Sequence, residues 1–207
     1  GEKFIQNSLS YKLGNIELQD LSSQLTTELS QISSGKKILD FCSGSGGKAL
    51  AIASRLKNNC DIYGYDINTL KIKNLVARSK RAGAKIKIID TYDLEHYINS
   101  FDIVFVDAPC SGIGTWRRDP EFKWKINDQK LNSFKKIQLE ILNKSSFYLR
   151  NGGFLIYVVC SFLEDEGELN INKFLLTYKN FSKIDTKLFH PINASDGFYL
   201  AVLQKNY

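Results

Sequence analysis

The chain has 207 residues, of which 43% are hydrophobic and 24% charged, a composition typical of a folded domain and not of disordered, collagenous or coiled-coil chains. With 28 Lys and Arg against 22 Asp and Glu, the formal net charge is +6, which suits a polyanionic partner without requiring one. The longest uninterrupted apolar stretch, Phe154–Cys160, is far shorter than the roughly 20 residues of a membrane helix, so we expect no membrane role.

Four cysteines, at positions 42, 60, 110 and 160, include no Cys-x-x-Cys pair, and the chain has only 2 histidines. This spacing favours neither a metal site nor a disulfide framework, so we expect free thiols and no metal. Free thiols without a secretion signal are typical of the cytoplasm, where we expect a monomer. Because methionine is absent even at position 1, we expect the sequence to be a piece of a longer chain that lacks N-terminal material.

Strand-like and helix-like segments alternate from Lys36 onward, which predicts parallel strands joined by crossover helices. We therefore expect an α/β fold: a Rossmann-like, mostly parallel seven-stranded sheet with helices on both faces and an antiparallel pair of late strands. The predicted strands are Lys37–Phe41, Ile62–Asp66, Ile86–Ile89, Ile103–Asp107, Phe154–Cys160, Phe181–Leu188 and Gly197–Gln204. The predicted helices are Lys48–Leu56, Thr69–Ala82, Asp128–Leu149 and Glu166–Tyr178.

The long predicted helix from 128 to 149 has its apolar residues on one stripe, and Gly152-Gly153 is expected to end it. The stripe comprises Leu131, Phe134, Ile137, Ile141 and Leu142.

Residues 1–35 contain no complete α/β unit and are expected to be a lead-in segment to a domain that spans 36–207. Within this segment, the spacing of Leu21, Leu25 and Leu29 predicts a helix that packs on the sheet.

The first predicted strand ends in a glycine-rich loop that runs directly into a helix, an arrangement in which backbone amides approach a ligand closely. Gly44, Gly46 and Ala49 match the dinucleotide-binding fingerprint, and Asp66, 22 residues beyond Gly44, is in the position of a ribose-binding carboxylate. The alternative is a tight strand-to-helix turn with a solvated aspartate.

The charges around this loop favour S-adenosylmethionine over NAD as the ligand. Asp40 would repel a pyrophosphate but attract the positively charged methionine moiety of a sulfonium cofactor. Lys48 is a candidate partner for the cofactor's carboxylate, the alternative being a solvated lysine in the first helical turn. Asp90, with Asp93 as an alternate, is a candidate acceptor for the adenine amino group, and either could instead cap a loop.

Two cysteines are expected to meet at one edge of the sheet. The fourth predicted strand ends at Asp107 and is followed by Cys110, and the fifth strand ends at Cys160. Because parallel strands end at the same edge, both thiols should lie beside the cofactor crevice. A single buried cysteine is usually a small core residue, which is the role expected of Cys42 and Cys60.

Together these features resemble the RNA cytosine-5 methyltransferase family, and are most similar to the bacterial Sun-type 16S ribosomal RNA enzymes, over nearly the whole chain. Among the matching segments are Asp107-Ala108-Pro109-Cys110-Ser111-Gly112 and Tyr157-Val158-Val159-Cys160-Ser161. The others are 18–24, 40–48, 65–67, 117–124 and 196–199.

The resemblance implies a class I methyltransferase fold, S-adenosylmethionine as cofactor and RNA, above all ribosomal RNA, as partner. It implies that Cys160 is the nucleophile and that Cys110 assists product release. It also implies that 1–35 is the remnant of a missing N-terminal RNA-binding region. The cofactor site that it implies is lined by Cys42, Ser43, Gly44, Ser45, Gly46, Gly47, Lys48, Asp66, Asp90 and Asp107.

Methylation at carbon 5 of cytosine requires a nucleophilic residue, because this carbon is too electron-poor to attack a methyl group. A Cys160 thiolate that adds to carbon 6 turns the ring into an enamine-like nucleophile. Asp107 is the candidate for relieving the charge that develops at ring nitrogen 3. A paired base hides both carbons, so the target is expected to be single-stranded or flipped out.

Both tryptophans alternate with basic residues shortly after Cys110, a pattern suited to phosphate contacts and base stacking. The predicted RNA-binding residues are Trp116, Arg117, Arg118, Lys123 and Trp124, followed by Lys125. The alternative is an aromatic-anchored loop with a solvated charged rim. A basic run between Thr69 and Ile89 either extends this surface or is a solvated helix face.

The chain departs from the family pattern at two positions in these motifs. Ser45 stands where the family usually has proline, and Val159 where it usually has threonine or serine; neither change removes a reacting group. Two other functions fit part of the pattern. A non-catalytic RNA-binding or ribosome-assembly module would keep the fold but would not need the two cysteines, and an NAD-dependent dehydrogenase fits the glycine loop but not Asp40.

Overall fold

A seven-stranded sheet organises the part of the chain that the computed structural model describes, residues 2–30, 32–124, 126–191 and 196–207. The strands are β1 (Lys37–Asp40), β2 (Asp61–Gly64), β3 (Ile86–Ile88), β4 (Phe101–Asp107), β5 (Leu149–Val159), β6 (Phe181–Phe189) and β7 (Phe198–Lys205). The helices are α1 (Glu2–Gln6), α2 (Leu9–Lys12), α3 (Leu21–Glu28), α4 (Gly47–Arg55), α5 (Thr69–Ala82), α6 (Asp128–Ser146) and α7 (Glu168–Thr177). None of these helices combines the length and the apolar character needed to cross a bilayer.

The strand order is β3-β2-β1-β4-β5-β7-β6, in which β1 to β5 pair in parallel and β7 runs antiparallel to both of its neighbours. The predicted α/β fold with a mostly parallel sheet is therefore confirmed. The direction of the strand order reverses between β1 and β4. Ligands of open α/β sheets bind at such a switch point, outside the carboxyl ends of the strands. The candidate site therefore lies where β1, β4 and the neighbouring β5 end.

Residues of the central strands alternate between two buried layers, as expected for a sheet covered on both faces. In β1, Ile38 packs in the layer that contains α4, and Leu39 packs in the layer that contains α6 and α7. Val104 and Phe105 of β4 divide between the two layers in the same way. This double burial makes the sheet a rigid support for the polar residues at the strand ends.

The prediction that Gly152-Gly153 ends a helix at 149 is wrong. Helix α6 ends at Ser146, and the glycine pair lies inside the long strand β5. The pairing of β5 with β4 shifts register between Phe101 and Ile103. Gly152 has a φ of 74°, a backbone angle that residues other than glycine rarely adopt. The glycines therefore form an irregularity that lets β5 continue along β4.

The helix predicted around Leu21 exists as α3, but it buries a different face from the one predicted, and only Leu25 of the predicted stripe is partly buried. Leu21 is 57% exposed and Leu29 is 39% exposed. The buried residues are Ser22, Ser23, Thr26 and Thr27. The hydroxyl of Ser22 donates to the Asp196 carbonyl oxygen at 2.7 Å, so a polar face of α3 packs at the start of β7.

Helix α6 also differs from its predicted stripe. Ile137 is 38% exposed, whereas Gln138 and Leu142 are fully buried. Gln138 is buried because its side-chain amide donates to the Pro109 carbonyl oxygen at 3.0 Å, in the loop that follows β4. A polar contact at the sheet edge therefore sets the orientation of this helix.

Candidate active site

The loop between β1 and α4 has a conformation that depends on glycine. Gly46 has a φ of 87°, and a Cβ atom at this position would lie 2.2 Å from Leu75 Cδ1 of α5. Helix α4 begins at Gly47, and the glycine before it offers no side-chain cap, so the loop ends at a helix N-terminus whose backbone amides attract electron-rich ligand groups. The hydroxyl of Ser43 donates to the Asp40 carbonyl oxygen at 2.7 Å and fixes the start of the loop.

Asp66, just beyond the end of β2, bridges the glycine loop and the start of α5. Its Oδ2 accepts from the Gly44 amide and its Oδ1 accepts from the Asn68 amide, each at 2.8 Å. Carboxylate oxygens can accept more than one hydrogen bond, so this side chain keeps acceptor capacity for the hydroxyls of a ligand.

Asp40 ends β1 as a fully buried carboxyl group, and neither of its oxygens has a hydrogen-bond partner among the described residues. Burial, and after it the nearby Asp107 carboxylate, raises the pKa of Asp40 from its ordinary value of 3.8 to about 8. The Lys48 ammonium and the Ala49 amide oppose this rise and do not reverse it. A buried carboxyl without a partner is costly, and it suits a ligand that brings a positive charge or a hydrogen-bond donor.

Lys48 connects the glycine loop to the end of β4. Its Nζ donates to Asp107 Oδ2 at 3.0 Å and to Ser23 Oγ at 2.7 Å, and it lies 5.1 Å from the centre of the Phe198 ring. The lysine side chain is 6% exposed and that of Asp107 is 32% exposed, so only the carboxylate remains open to a substrate. The alternative of a solvated lysine is excluded, and its contact with a cofactor carboxylate stays a prediction.

Cys110 and Cys160 meet beyond the neighbouring ends of β4 and β5. Their sulfur atoms are 2.9 Å apart, and both side chains are half-buried. The hydrogen bond with Cys160 and, after it, burial raise the pKa of Cys110 well above its usual range. The raised pKa keeps the proton on Cys110, and either sulfur can be the donor in the contact between them. The geometry places a protonated thiol beside a second sulfur that can act as a nucleophile.

The remaining residues predicted at the cofactor site have varied surroundings. Cys42 packs against the core, and burial, more than any nearby charge, raises the pKa of its thiol. The Ser45 carbonyl oxygen accepts from Arg78 Nη1 at 2.7 Å. Asp90 is exposed, and its Oδ1 accepts from the Tyr92 amide at 3.1 Å, so it caps a turn. Its contact with an adenine stays a prediction.

The first half of the predicted RNA-binding segment is anchored by ion pairs. Arg118 Nε donates to Asp196 Oδ2 at 2.7 Å, and Arg117 lies between Asp196 at 3.3 Å and Asp20 at 3.2 Å. Asp196 is fully buried, whereas each arginine side chain is 45% exposed. The two arginines therefore tie this segment to α3 and β7 and retain an open side.

The second half of the segment is open to solvent. Trp124 is 81% exposed, and Lys123 Nζ lies 4.7 Å from the centre of its ring.

Trp116, at the start of the segment, is partly buried, and its Nε1 has no hydrogen-bond partner in the described part of the chain. Lys125 lies outside the described residues. The binding of RNA by this segment stays a prediction.

Two residues of the site were not singled out from the sequence. Ser23 contacts Lys48, although it lies 25 residues away on α3. Glu166, fully buried ahead of α7, accepts from the Ser111 amide at 2.8 Å. Ser23 falls within a segment that carries the family resemblance, whereas the sequence contains no comparable signal for Glu166.

Comparison with known proteins gives the same family as the motifs. The family described as 16S rRNA methyltransferase RsmB/F matches residues 28–204. Ribosomal RNA small subunit methyltransferase B of Photorhabdus laumondii is 33% identical over 204 residues, which cover 93% of this chain and 47% of that protein. A Mus musculus protein named 28S rRNA (cytosine-C(5))-methyltransferase is 29% identical over 227 residues, which cover 94% of this chain and 28% of that protein.

The fold is also shared with solved structures. The crystal structure of PH0851 superposes with a TM-score of 0.91 at 27% identity, covering 97% of this chain and 49% of that one. The chain thus spans less than half the length of each of these three proteins. Because the match extends over most of the chain and includes the glycine loop and both cysteine motifs, the chain belongs to the 16S rRNA methyltransferase RsmB/F family.

Proposed function

We propose that this protein transfers a methyl group from S-adenosylmethionine to carbon 5 of a cytosine in RNA. The observation that carries the proposal is the 2.9 Å contact between the Cys110 and Cys160 sulfurs, at strand ends that adjoin the glycine loop. A non-catalytic scaffold has no need of such a thiol pair. Ribosomal RNA is the preferred substrate, because the relatives are named for it. We expect a monomer that acts in the cytoplasm.

The residues around the glycine loop fit S-adenosylmethionine. The unpartnered, buried carboxyl of Asp40 suits the cationic part of this cofactor, because a nearby positive charge would favour the ionised form of the carboxyl group. Asp66 has acceptor capacity for ribose hydroxyls, and the N-terminus of α4 suits electron-rich groups. When bound, the cofactor supplies an electrophilic methyl group.

In the proposed reaction, the Cys160 sulfur forms a bond to carbon 6 of the cytosine, and carbon 5 then accepts the methyl group. The partly exposed Asp107 carboxyl, in its protonated form, donates its proton to ring nitrogen 3, where negative charge develops, and Lys48 holds its Oδ2 at 3.0 Å. A base then removes the proton from carbon 5, the electron pair of that bond restores the double bond between carbons 5 and 6, and the bond between carbon 6 and sulfur breaks so that Cys160 leaves as a thiolate. The adjacent Cys110 thiol assists this departure by donating a hydrogen bond to the leaving sulfur.

Cysteine variants test this proposal. Cys160→Ala should abolish methyl transfer to RNA, whereas Cys110→Ala should accumulate a covalent protein–RNA adduct that migrates as a heavier band under denaturing conditions. Cys60→Ala is the matched control, because this half-buried cysteine directly precedes β2, at the opposite end of that strand from Asp66. Full activity of Cys160→Ala would refute the assignment of the nucleophile.

A further inference from the structure

A buried polar cluster lies directly behind Cys110. Glu166 accepts from the Ser111 amide at 2.8 Å and also from the Ser111 hydroxyl. Gln138 of α6 donates to the same carboxyl group at 3.0 Å and to the Pro109 carbonyl oxygen at 3.0 Å. Both peptide groups that flank Cys110 are therefore bound by one cluster.

The cluster is buried, and among the described residues none of its buried polar side-chain atoms lacks a hydrogen-bond partner. Glu166 and Gln138 are fully buried, and Asn170 of α7 donates to Gln138 Oε1 at 2.8 Å, which orients the glutamine amide. The hydroxyl of Tyr157 donates to the Glu166 carbonyl oxygen at 2.7 Å and fixes the backbone of the glutamate. A carboxyl group in such an interior is costly compared with an apolar side chain, and a satisfied buried network makes its surroundings rigid.

We infer that Glu166 is a positioning residue, which fixes the backbone on the C-terminal side of Cys110 so that the Cys110 thiol rests against the Cys160 sulfur. The negative charge of Glu166 also favours the protonated form of the Cys110 thiol. After the contact with Cys160 and burial, Glu166 is among the groups that raise the pKa of Cys110, which keeps this thiol protonated. The inference rests on the proposed function, in which Cys110 assists the departure of Cys160.

The rate of methyl transfer and the amount of covalent adduct distinguish a positioning role of Glu166 from a role in the stability of the fold alone. Glu166→Ala should slow methyl transfer about 100-fold, the effect of misplacing a reacting group by ~1 Å, and should accumulate the covalent adduct as Cys110→Ala does. Glu166→Gln keeps an acceptor for the Ser111 amide and should restore most of the turnover. The exposed Glu164→Gln is the control and should behave as wild type. Wild-type turnover in Glu166→Ala, or a fall in turnover without adduct, would overturn the inference.

A second measurement needs neither RNA nor cofactor. The rate of Cys110 alkylation by iodoacetamide, followed by peptide mass spectrometry across a pH series, should rise at a given pH in Glu166→Gln, because a charge that raises the pKa of this thiol is removed. It should stay unchanged in Glu164→Gln. An unchanged Cys110 profile in Glu166→Gln would contradict the inference, even if Glu166→Ala does not fold. Absence of both methyl transfer and adduct in wild type and Cys110→Ala would instead refute the proposed function, and the alkylation result would still decide the role of Glu166.

Discussion

Replacement of Asp40 with asparagine should stabilise the ligand-free protein, and the gain should grow as the pH rises. Asp40 is fully buried, and neither of its oxygens has a hydrogen-bond partner among the described residues. Burial and then the Asp107 carboxylate raise the pKa of Asp40 from 3.8 to about 8. Asparagine has nearly the same shape and carries no charge at any of these pH values.

The size of the effect follows from proton linkage. Between pH 3.8 and pH 8, the native protein holds a proton on Asp40 that the unfolded chain has released, so the free energy of unfolding falls as the pH rises. Each pH unit in this window removes about 1.4 kcal/mol, or about 4 kcal/mol between pH 5 and pH 8. For a chain of this size, the loss corresponds to roughly 8–16 °C in Tm.

Thermal unfolding of wild type and Asp40→Asn across pH 5 to 9 tests this reasoning. The Tm of wild type should fall relative to that of Asp40→Asn up to pH 8 and then run parallel to it. Asp61→Asn is the control, since its side chain is 63% exposed and pairs with Lys87 at the surface. Parallel Tm profiles for wild type and Asp40→Asn over the whole range would refute the raised pKa.

Three further substitutions test individual contacts. Lys48→Gln should lower the free energy of unfolding by about 1–3 kcal/mol in urea titrations, because Asp107 loses its charged donor. An unchanged urea midpoint would show that the contact between Lys48 and Asp107 does not stabilise the fold. Gly46→Ala should lower the free energy of unfolding by about 1–3 kcal/mol, because of the positive φ at this position and the clash with α5. We expect S-adenosylhomocysteine to raise the Tm of wild type and not that of Gly46→Ala, and an increase retained in the variant would count against the loop as the cofactor site. Arg118→Ala should lower the free energy of unfolding by about 1–3 kcal/mol, because the buried Asp196 loses a partner. A Tm equal to that of wild type would show that this ion pair does not stabilise the fold.

The sheet could be predicted from the sequence because its signals are local. Helix α5 has the predicted bounds, Thr69–Ala82, since Asn68 caps its start and Gly83 its end. Strand β5 could not be predicted to begin at Leu149, because Gly152-Gly153 is typical of a turn and only the pairing with β4 makes it part of a strand.

Only the part of the candidate site that lies at the ends of strands could be predicted from the sequence. The approach of Cys110 to Cys160 follows from two parallel strands that end at one edge. The pairing of Lys48 with Ser23 depends on which face of α3 is buried, and the exposed Leu21 shows that apolar spacing misidentifies that face. Such contacts are set by tertiary packing of polar groups, for which a single sequence has no periodic signal.

The position of the transferred methyl group tests the central claim most directly. The protein should be incubated with S-adenosylmethionine labelled in its methyl group and with unmodified ribosomal RNA, and the RNA should then be digested to nucleosides and analysed by mass spectrometry. The proposed chemistry predicts label at carbon 5 of cytidine. Label on a ribose oxygen, on an exocyclic amine or on another base would contradict it.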